Sequence, residues 1–194
     1  MSETEADTGK LTVLGRQDLT KSAESVKGEL PKYWEKPYIH EHIQSMENPQ
    51  HRMMAVFLWM SGVRITEAIS LQKKDIDFQN YVMTVRWLKS RKYGHRIVPL
   101  HPHLRDLLQV FTAAMKAEER LFPISRQRAW QLIEAHFKGN PHMFRHSFAV
   151  NWLRCGGSIN TLCQVLGHSD IRTTMVYLQL APIDQGKELM KIEF

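Results

Sequence analysis

The distribution of apolar positions predicts a chain that is mainly helical from residue 49 onward. Residues 53–60 are apolar throughout, and a run that is apolar nearly all round indicates a buried, central helix. Pro49 is expected to begin this helix and Gly62 to end it as a left-handed cap. A second, short helix is expected where four more apolar residues follow, at Ile65, Ala68, Ile69 and Leu71.

A change of period then interrupts the helical pattern. Residues 81–88 alternate and are rich in β-forming residues, and a second strand is expected over residues 96–100. The link between them, residues 89–95, is polar and cationic. The sequence therefore predicts a β-hairpin with a basic tip.

Downstream of the hairpin the pattern is helical again. One helix is expected to begin at His101-Pro102, and four more are expected over residues 125–137, 143–154, 158–166 and 173–180. These elements predict an α+β fold that is mainly α with a small antiparallel β-sheet.

The ends of the chain differ from this body. Residues 1–28 lack hydrophobic periodicity, which predicts a mobile polar leader. Order is expected to begin near Leu30, where Tyr33, Trp34 and Tyr38 can anchor an edge of the globule. Residues 29–182 are expected to form the main domain, and residues 183–194 a tail whose apolar end would be exposed if left alone.

Composition indicates one globular domain in the cytoplasm. The chain has 194 residues, of which 43% are hydrophobic and 24% charged, enough to bury a sizeable core. Its apolar runs are too short to span a membrane, and its polar N-terminus does not resemble a secretory signal. Cys155 and Cys163 make neither a disulfide framework nor a metal-ligand spacing, so we expect reduced thiols in the core of a cytosolic protein.

The positive charge is placed unevenly. The net charge is +6, but residues 1–48 carry six Lys and Arg against nine Asp and Glu, whereas residues 49–194 carry twenty against eleven. A body this basic suggests a polyanionic partner. Charge alone does not distinguish a nucleic-acid-binding domain from a basic domain that binds nothing acidic.

Four short segments could carry chemistry, and they are specific only as a set. In chain order they are SGVRITE at 61–67, Lys89 on the hairpin, HMFRHSFA at 142–149 and LGHSDIRTTMVY at 166–177. The set closely resembles the tyrosine recombinase family of the phage integrase and Xer type. There the boxes read TGLR-x-x-E, H-x-LRHTFAT and LGH, with a tyrosine nine residues beyond the last histidine. The resemblance covers about residues 30–180.

The resemblance implies the tyrosine recombinase catalytic-domain fold and a catalytic set of Arg64, Lys89, His142, Arg145, His168 and Tyr177. It implies site-specific DNA recombination through a covalent 3′-phosphotyrosine intermediate and a Holliday junction. Attack by a tyrosine exchanges one phosphate ester for another, so no ATP is required. The set also lacks the carboxylate cluster that Mg²⁺ uses, and no cofactor or metal is expected.

The residue types suit that chemistry. Guanidiniums stay charged and donate to phosphate in a fork geometry, and a lysine ammonium can protonate the leaving 5′-oxygen. A tyrosine hydroxyl, with an ordinary pKa of about 10, needs help to lose its proton. Lys89 is favoured as the acid because it should end the first strand, with Lys92 as the alternative. Hairpin residues that could also contact DNA are Arg91, Lys92, His95 and Arg96.

Each residue also has a purely structural interpretation. Arg64 could pair with Glu67, His142 could begin its helix, His168 could be a capping residue after a glycine, and Tyr177 could belong to the core. Arg145 is different, because a buried unpaired arginine is costly and favours a ligand or an ion pair.

Two expectations accompany these assignments. His146 is expected to support Arg145 rather than the reaction. A straight helix from His168 to Tyr177 would separate them by about 13 Å, so the helix must start late or bend near Ser169-Asp170.

The family resemblance also implies partners. Double-stranded DNA is expected, with a monomer when free and a tetramer on paired sites, where the tail docks either on a neighbouring protomer or on its own domain. Family members place a core-binding domain of about a hundred residues before this fold. An excised domain and a naturally minimal recombinase both remain possible, and the start Met1-Ser2-Glu3 favours the second.

Two other functions remain open. A type IB topoisomerase shares the chemistry and relaxes DNA without strand exchange. A DNA-binding regulator could retain the residues as an inert site, although the complete set argues against this.

Overall fold

The computed structural model describes residues 30–89 and 92–181, without the side chains of residues 88, 89, 92 and 93. The predicted leader, Arg91 and the predicted tail lie outside the described residues. The helices are α1 Lys36–Gln44, α2 Pro49–Ser61, α3 Ile65–Ser70, α4 Pro102–Phe111, α5 Arg126–Phe137, α6 His142–Arg154, α7 Ile159–Leu166 and α8 Arg172–Met175. The strands are β1 Ile76–Asp77, β2 Val82–Lys89 and β3 Lys92–Pro99, and short 3-10 helices cover Lys73–Asp75 and Val176–Gln179.

The predicted fold class is confirmed. Helices dominate the described part of the chain, and β1, β2 and β3 form an antiparallel sheet in that order. Within these residues, no helix combines the length and the apolar character needed to cross a membrane.

Helix α2 is the centre of the core, as its apolar pattern predicts. The side chain of Asn48 accepts hydrogen bonds from the first turn, which Pro49 begins, and Gly62 ends the helix with a left-handed φ of 64°. Phe57 and Leu58 are fully buried. A side chain at position 62 would overlap the ring of Phe148, because an ideal Cβ there lies 2.4 Å from that ring.

The hairpin is tighter than expected. Strand β3 begins at Lys92 rather than near Arg96, and Lys89 pairs with Lys92. The expected seven-residue link of residues 89–95 is therefore wrong, since only residues 90 and 91 separate the strands. Gly94 allows the longer pairing, because a Cβ there would lie 2.3 Å from the Trp87 indole. Strand β1 was also not predicted, and at two residues it is too short to give an alternating pattern.

Helix α1 was not predicted either. Only Ile39 and Ile43 of its nine residues are buried, so its amphipathic pattern is weak. Trp34, which was expected to anchor the edge of the globule, is 8% exposed and its backbone N–H donates to Ser147 Oγ at 2.8 Å. Trp34, two residues before α1, therefore packs onto α6, the helix that carries Arg145.

Helix α6 lies between two apolar clusters. Its residue Phe144 belongs to the main core, whereas Ala149, Val150 and Leu153 belong to a smaller cluster with α7 and Tyr177. The helix is thus held from both sides, which fixes the HMFRHSFA segment of residues 142–149 in place. The two free cysteines do not contribute as expected: Cys155 is exposed and Cys163 is half-buried, so their assignment to the core is wrong.

Candidate active site

The first motif places Arg64 directly after the sharp turn at Gly62. Arg64 is the N-cap residue of α3, and its backbone N–H donates to Glu67 Oε2 at 2.8 Å. Its guanidinium donates to the other carboxylate oxygen at 3.1 Å, but the side chain stays 38% exposed. The structural interpretation, pairing with Glu67, is therefore correct, and it leaves most of the guanidinium N–H groups available to a ligand.

Glu67 also binds Arg96 from strand β3. The guanidinium of Arg96 donates to both carboxylate oxygens, at 2.8 and 2.9 Å, and its Nε donates to the Val165 carbonyl at 2.9 Å. Burial alone would raise the pKa of Glu67, but hydrogen bonds and charge from Arg96 and then Arg64 hold it below its ordinary value. Arg96 is only 10% exposed, so the structure places this predicted DNA contact in an internal ion pair.

Arg145 is buried at the centre of the site, 4% exposed. Its guanidinium donates to the carbonyl of Gly62 at 2.9 Å, to that of Leu166 at 2.6 Å and to Nε2 of His168 at 2.9 Å. These partners are neutral, and they occupy three of its five N–H groups. Burial, followed by the charge of Arg64, lowers the pKa of Arg145 to about 10, which still leaves it positive at neutral pH.

His168 is fixed on both sides of its ring. Because its Nε2 accepts from Arg145, its Nδ1 carries the hydrogen and donates to Thr174 Oγ1 at 2.8 Å. Burial, then Arg145 and other nearby cations, lowers the pKa of His168 to about 4, so the ring is neutral. The backbone N–H of His168 also bonds the Cys163 carbonyl behind the left-handed Gly167, as the capping interpretation predicts.

Tyr177 lies close to Arg145 and His168 because no single straight helix joins His168 to Tyr177. Helix α7 ends at Leu166, and α8 begins only at Arg172, where Asp170 accepts from the Arg172 backbone N–H. The expected late start near Ser169-Asp170 is confirmed. Tyr177 falls in the 3-10 helix that follows α8, and it is 3% exposed.

The hydroxyl of Tyr177 is bonded to a residue that was not expected to act on it. Its Oη lies 2.8 Å from Nδ1 of His146. Burial raises the pKa of Tyr177, although the charges of Arg145 and Arg64 oppose the rise. Burial, then His142 and Arg145, lowers the pKa of His146 to about 4.

His142 lies at the rim of the site. It is the first residue of α6, is exposed, and its ring meets the Trp130 ring edge-on at 6.4 Å between centroids. Partial removal from water, then the charges of Arg145 and Arg64, lowers its pKa. Its position at the helix start fits the structural interpretation, and its exposure leaves the ring accessible to a ligand.

The two candidate lysines of the hairpin pair with each other across its strands. Lys89 ends β2 and Lys92 begins β3, but their side chains lie outside the described part, as does the whole of Arg91. His95 is exposed on β3. The backbone register alone leaves the choice between Lys89 and Lys92 open.

The described residues thus bring together two arginines, a neutral histidine and a tyrosine. Such an arrangement can bind a phosphodiester and present a hydroxyl to it. Among the residues described, no group of three or more His, Cys, Asp or Glu side chains could hold a metal ion. A groove of about 810 Å³ lies apart from the site, between Trp59 of α2, Leu107 of α4 and Trp152 of α6, and none of the predicted catalytic residues lines it.

Comparisons with known proteins identify the family to which the fold belongs. The model of the phage integrase family matches residues 36–182. The tyrosine recombinase XerA of Saccharolobus solfataricus is 30% identical over 158 residues, which are 79% of this chain and 54% of that protein. The chain spans about half the length of the curated relatives it matches.

Solved structures share the fold. The catalytic domain of bacteriophage HP1 integrase is 25% identical with a TM-score of 0.65, and the match covers 84% of this chain and 95% of that one. The Tn1549 transposon integrase, solved in complex with circular intermediate DNA, has a TM-score of 0.64 at 20% identity and covers 85% of this chain and 68% of that one. On the match of the family model and the arrangement of its motifs, the chain belongs to the phage integrase family.

Proposed function

We propose that the chain is the catalytic domain of a tyrosine recombinase, which breaks and rejoins double-stranded DNA at specific sites. In this proposal Tyr177 attacks a phosphodiester, remains joined to the 3′-phosphate, and strands are exchanged through a Holliday junction without metal or ATP. The observation that carries the proposal is the pair of arginines beside a buried tyrosine. Arg145 is held by neutral partners at 2.6–2.9 Å and acts electrostatically on Tyr177.

The phosphate would bind to the guanidiniums. Arg145 has two N–H groups without a partner among the described residues, and Arg64 donates only one side-chain N–H, to Glu67. Both positions are fixed before DNA arrives, so little reorganisation is required when charge develops on the phosphoryl oxygens. Preorganised donors of this kind contribute about 3 kcal/mol each to the transition state.

The remaining roles follow from position. His168, neutral and fixed by Thr174, would hold Arg145 in orientation. Lys89, or Lys92 across the hairpin, would protonate the leaving 5′-oxygen. His142 at the exposed start of α6 would contact the phosphate as DNA covers it.

The partner would be double-stranded DNA, which agrees with the net charge of +6. The Tn1549 neighbour was itself solved with DNA. Exposed His95, together with Arg91 and Lys92, would contact the backbone, and these phosphate contacts carry no sequence information. We propose a monomer when free and a tetramer on paired sites, with residues 183–194 docking on a neighbouring protomer, in the cytoplasm on the nucleoid.

A covalent trap tests this function on a library of DNA sequences. The protein is incubated with nicked duplexes of randomised sequence, in EDTA and without ATP. Cleavage next to the nick releases a short strand, so rejoining fails and the adduct survives denaturation in SDS. We expect adducts enriched in one sequence, linked through the 3′-phosphate.

Two results would contradict the proposal. One is the absence of any adduct across the library, and the other is a strict metal requirement for adduct formation. Relaxation of a supercoiled plasmid that lacks the selected sequence would point instead to a topoisomerase.

A further inference from the structure

The roles proposed above give no function to His146, although its ring contacts Tyr177. His146 Nδ1 and Tyr177 Oη are 2.8 Å apart, and the two rings are tilted by 44° at a centroid distance of 5.8 Å. Tyr177 is 3% exposed and His146 is half-buried. The bond is therefore shielded from water, and it involves the atom that would attack DNA.

The direction of this bond follows from the charge state of the ring. Burial, then the charges of His142 and Arg145, keeps the pKa of His146 near 4, so the imidazole is neutral at physiological pH. A buried phenol must donate its hydrogen to an acceptor. Tyr177 therefore donates to His146 Nδ1, whose lone pair is already directed at the proton that the reaction has to remove.

We propose that His146 is a catalytic residue whose Nδ1 takes the proton of Tyr177 as Oη attacks the phosphorus atom. This inference rests on the proposed function. The Oη–H bond breaks while the Oη–P and Nδ1–H bonds form, and the P–O5′ bond breaks as the hairpin lysine protonates the leaving oxygen. Rejoining reverses each transfer, so the enzyme returns to its starting protonation state.

The other two histidines of the site are less suited to this step. His168 already uses both ring nitrogens, one accepting from Arg145 and one donating to Thr174. His142 is exposed at the start of α6, and no hydrogen bond joins its ring to Tyr177 in the described part of the chain. Among the described residues, His146 is the one of these three histidines that is hydrogen-bonded to Tyr177.

The phosphate itself would strengthen His146 as a base. The charged and titratable groups that face the ring are His142 and Arg145 on its own helix, His168 beyond α7, and Tyr177. A phosphodiester bound at Arg145 brings a negative charge beside the guanidinium of that residue. It would offset the repulsion that disfavours an imidazolium, so the ring becomes a better proton acceptor only when substrate is present.

The test measures single-turnover cleavage of the trapped substrate between pH 6 and pH 9. His146→Asn keeps a polar atom near the Nδ1 position but cannot be protonated there, and His146→Phe removes the acceptor. We expect both to cleave about a hundredfold more slowly, since general-base catalysis typically contributes 10²–10⁴-fold. Their rates should rise about tenfold per pH unit because hydroxide must then remove the proton, whereas the wild-type rate should be nearly flat. His40→Asn, an exposed site on α1, is the matched control, and thermal unfolding reports whether each variant folds.

The outcomes separate the two proposals. Wild-type cleavage by His146→Asn, or a variant rate that does not depend on pH, would overturn the role of His146 while leaving the recombinase function intact. If neither variant folds, the wild-type profile still decides, because a tenfold rise per pH unit would mean that His146 is not the acceptor. Failure of the wild-type protein to form any adduct would instead contradict the proposed function.

Discussion

Arg145 and Arg64 carry the same charge but are held differently, and substitution should separate their structural and chemical roles. Arg145 is 4% exposed and supports two buried carbonyl groups, whereas Arg64 is 38% exposed. We expect Arg145→Lys and Arg64→Lys each to slow adduct formation by about 10²-fold or more, because lysine lacks the fork of donors.

Stability should distinguish the two variants. Arg145→Lys should also lower the free energy of unfolding by about 1–3 kcal/mol, since a buried carbonyl loses its partner, and Arg64→Lys should change it much less. Arg154→Lys, in the exposed last turn of the same helix, is the control and should cleave normally. Near-normal cleavage by Arg145→Lys would show that a bidentate phosphate contact is not needed there.

The hairpin lysine can be identified by the chemistry of the leaving group. Lys89→Ala should slow cleavage of an ordinary phosphodiester because the 5′-oxygen then departs without a proton. A substrate with sulfur at that position needs no protonation, so its cleavage should be nearly unaffected. If Lys92→Ala gives this rescue and Lys89→Ala does not, Lys92 is the acid, which the pairing of the two residues across the hairpin permits.

For individual residues, the sequence predicts which side chains form the site but not which hydrogen-bond partners they have. The arginine, histidine and tyrosine positions follow from ordered motifs. Their partners come from distant segments: Arg96 binds Glu67 across 29 residues, and His146 binds Tyr177 across 31. Such pairings depend on the packing of α6 against its neighbours, so the motif suggested neither the internal role of Arg96 nor the contact of His146. The R-x-x-E spacing was the one local indication of the Glu67 pair.

Glu67 joins three elements, and its loss should loosen the whole site. Glu67 accepts hydrogen bonds from Arg64 at the start of α3 and from Arg96 on β3. Arg96 in turn donates to the Val165 carbonyl near the end of α7. Glu67→Gln removes the negative charge from a largely buried ion pair, in which the Arg96 side chain is 10% and the Glu67 side chain 4% exposed, so we expect the free energy of unfolding to fall by about 3 kcal/mol. The same substitution at Glu35, whose pair with Arg154 is exposed, should cost about 1 kcal/mol or less.

The stabilisation that Glu67 gives to the folded protein should decrease as the pH falls. The pKa of Glu67 is lower in the folded protein than its ordinary value of 4.5. Its contribution is therefore fully present above about pH 4.5 and is lost as the pH falls through the folded pKa. The gap in melting temperature between wild type and Glu67→Gln should shrink on acidification. A gap that stays constant or widens would show that Glu67 is not held as an anion.

Elements were predictable where caps and periodicity agree. Helix α2 has an N-cap at Asn48, proline in its first turn, a glycine at its end and a continuous apolar run, so its bounds could be predicted. Helix α1 has two buried residues and gives no such pattern. The hairpin link was predicted too long because its polar and glycine residues favour a loop locally, whereas pairing across the strands continues to Lys89 and Lys92.

For the whole molecule, the proposed assembly on DNA predicts a role for residues 183–194. Deletion of this segment should impair cooperative binding to paired sites more than binding to one site, because phosphate contacts by the basic body remain. Band-shift titrations on one-site and two-site duplexes measure single-site affinity and cooperativity. The salt concentration is held fixed because phosphate contacts make the affinity steeply salt-dependent. A truncated protein that assembles and recombines normally would show that the segment is dispensable.

Mass spectrometry of the trapped adduct identifies the residue that becomes covalently joined to DNA, which we propose is Tyr177. After nuclease and trypsin digestion, cleavage at Arg172 and Lys187 releases residues 173–187, in which Tyr177 is the single tyrosine. This assignment of the nucleophile predicts that the peptide carries a nucleotide on Tyr177, and that Tyr177→Phe forms no adduct while binding DNA within a few-fold of wild type. A nucleotide on another residue, or an adduct that persists in Tyr177→Phe, would contradict it.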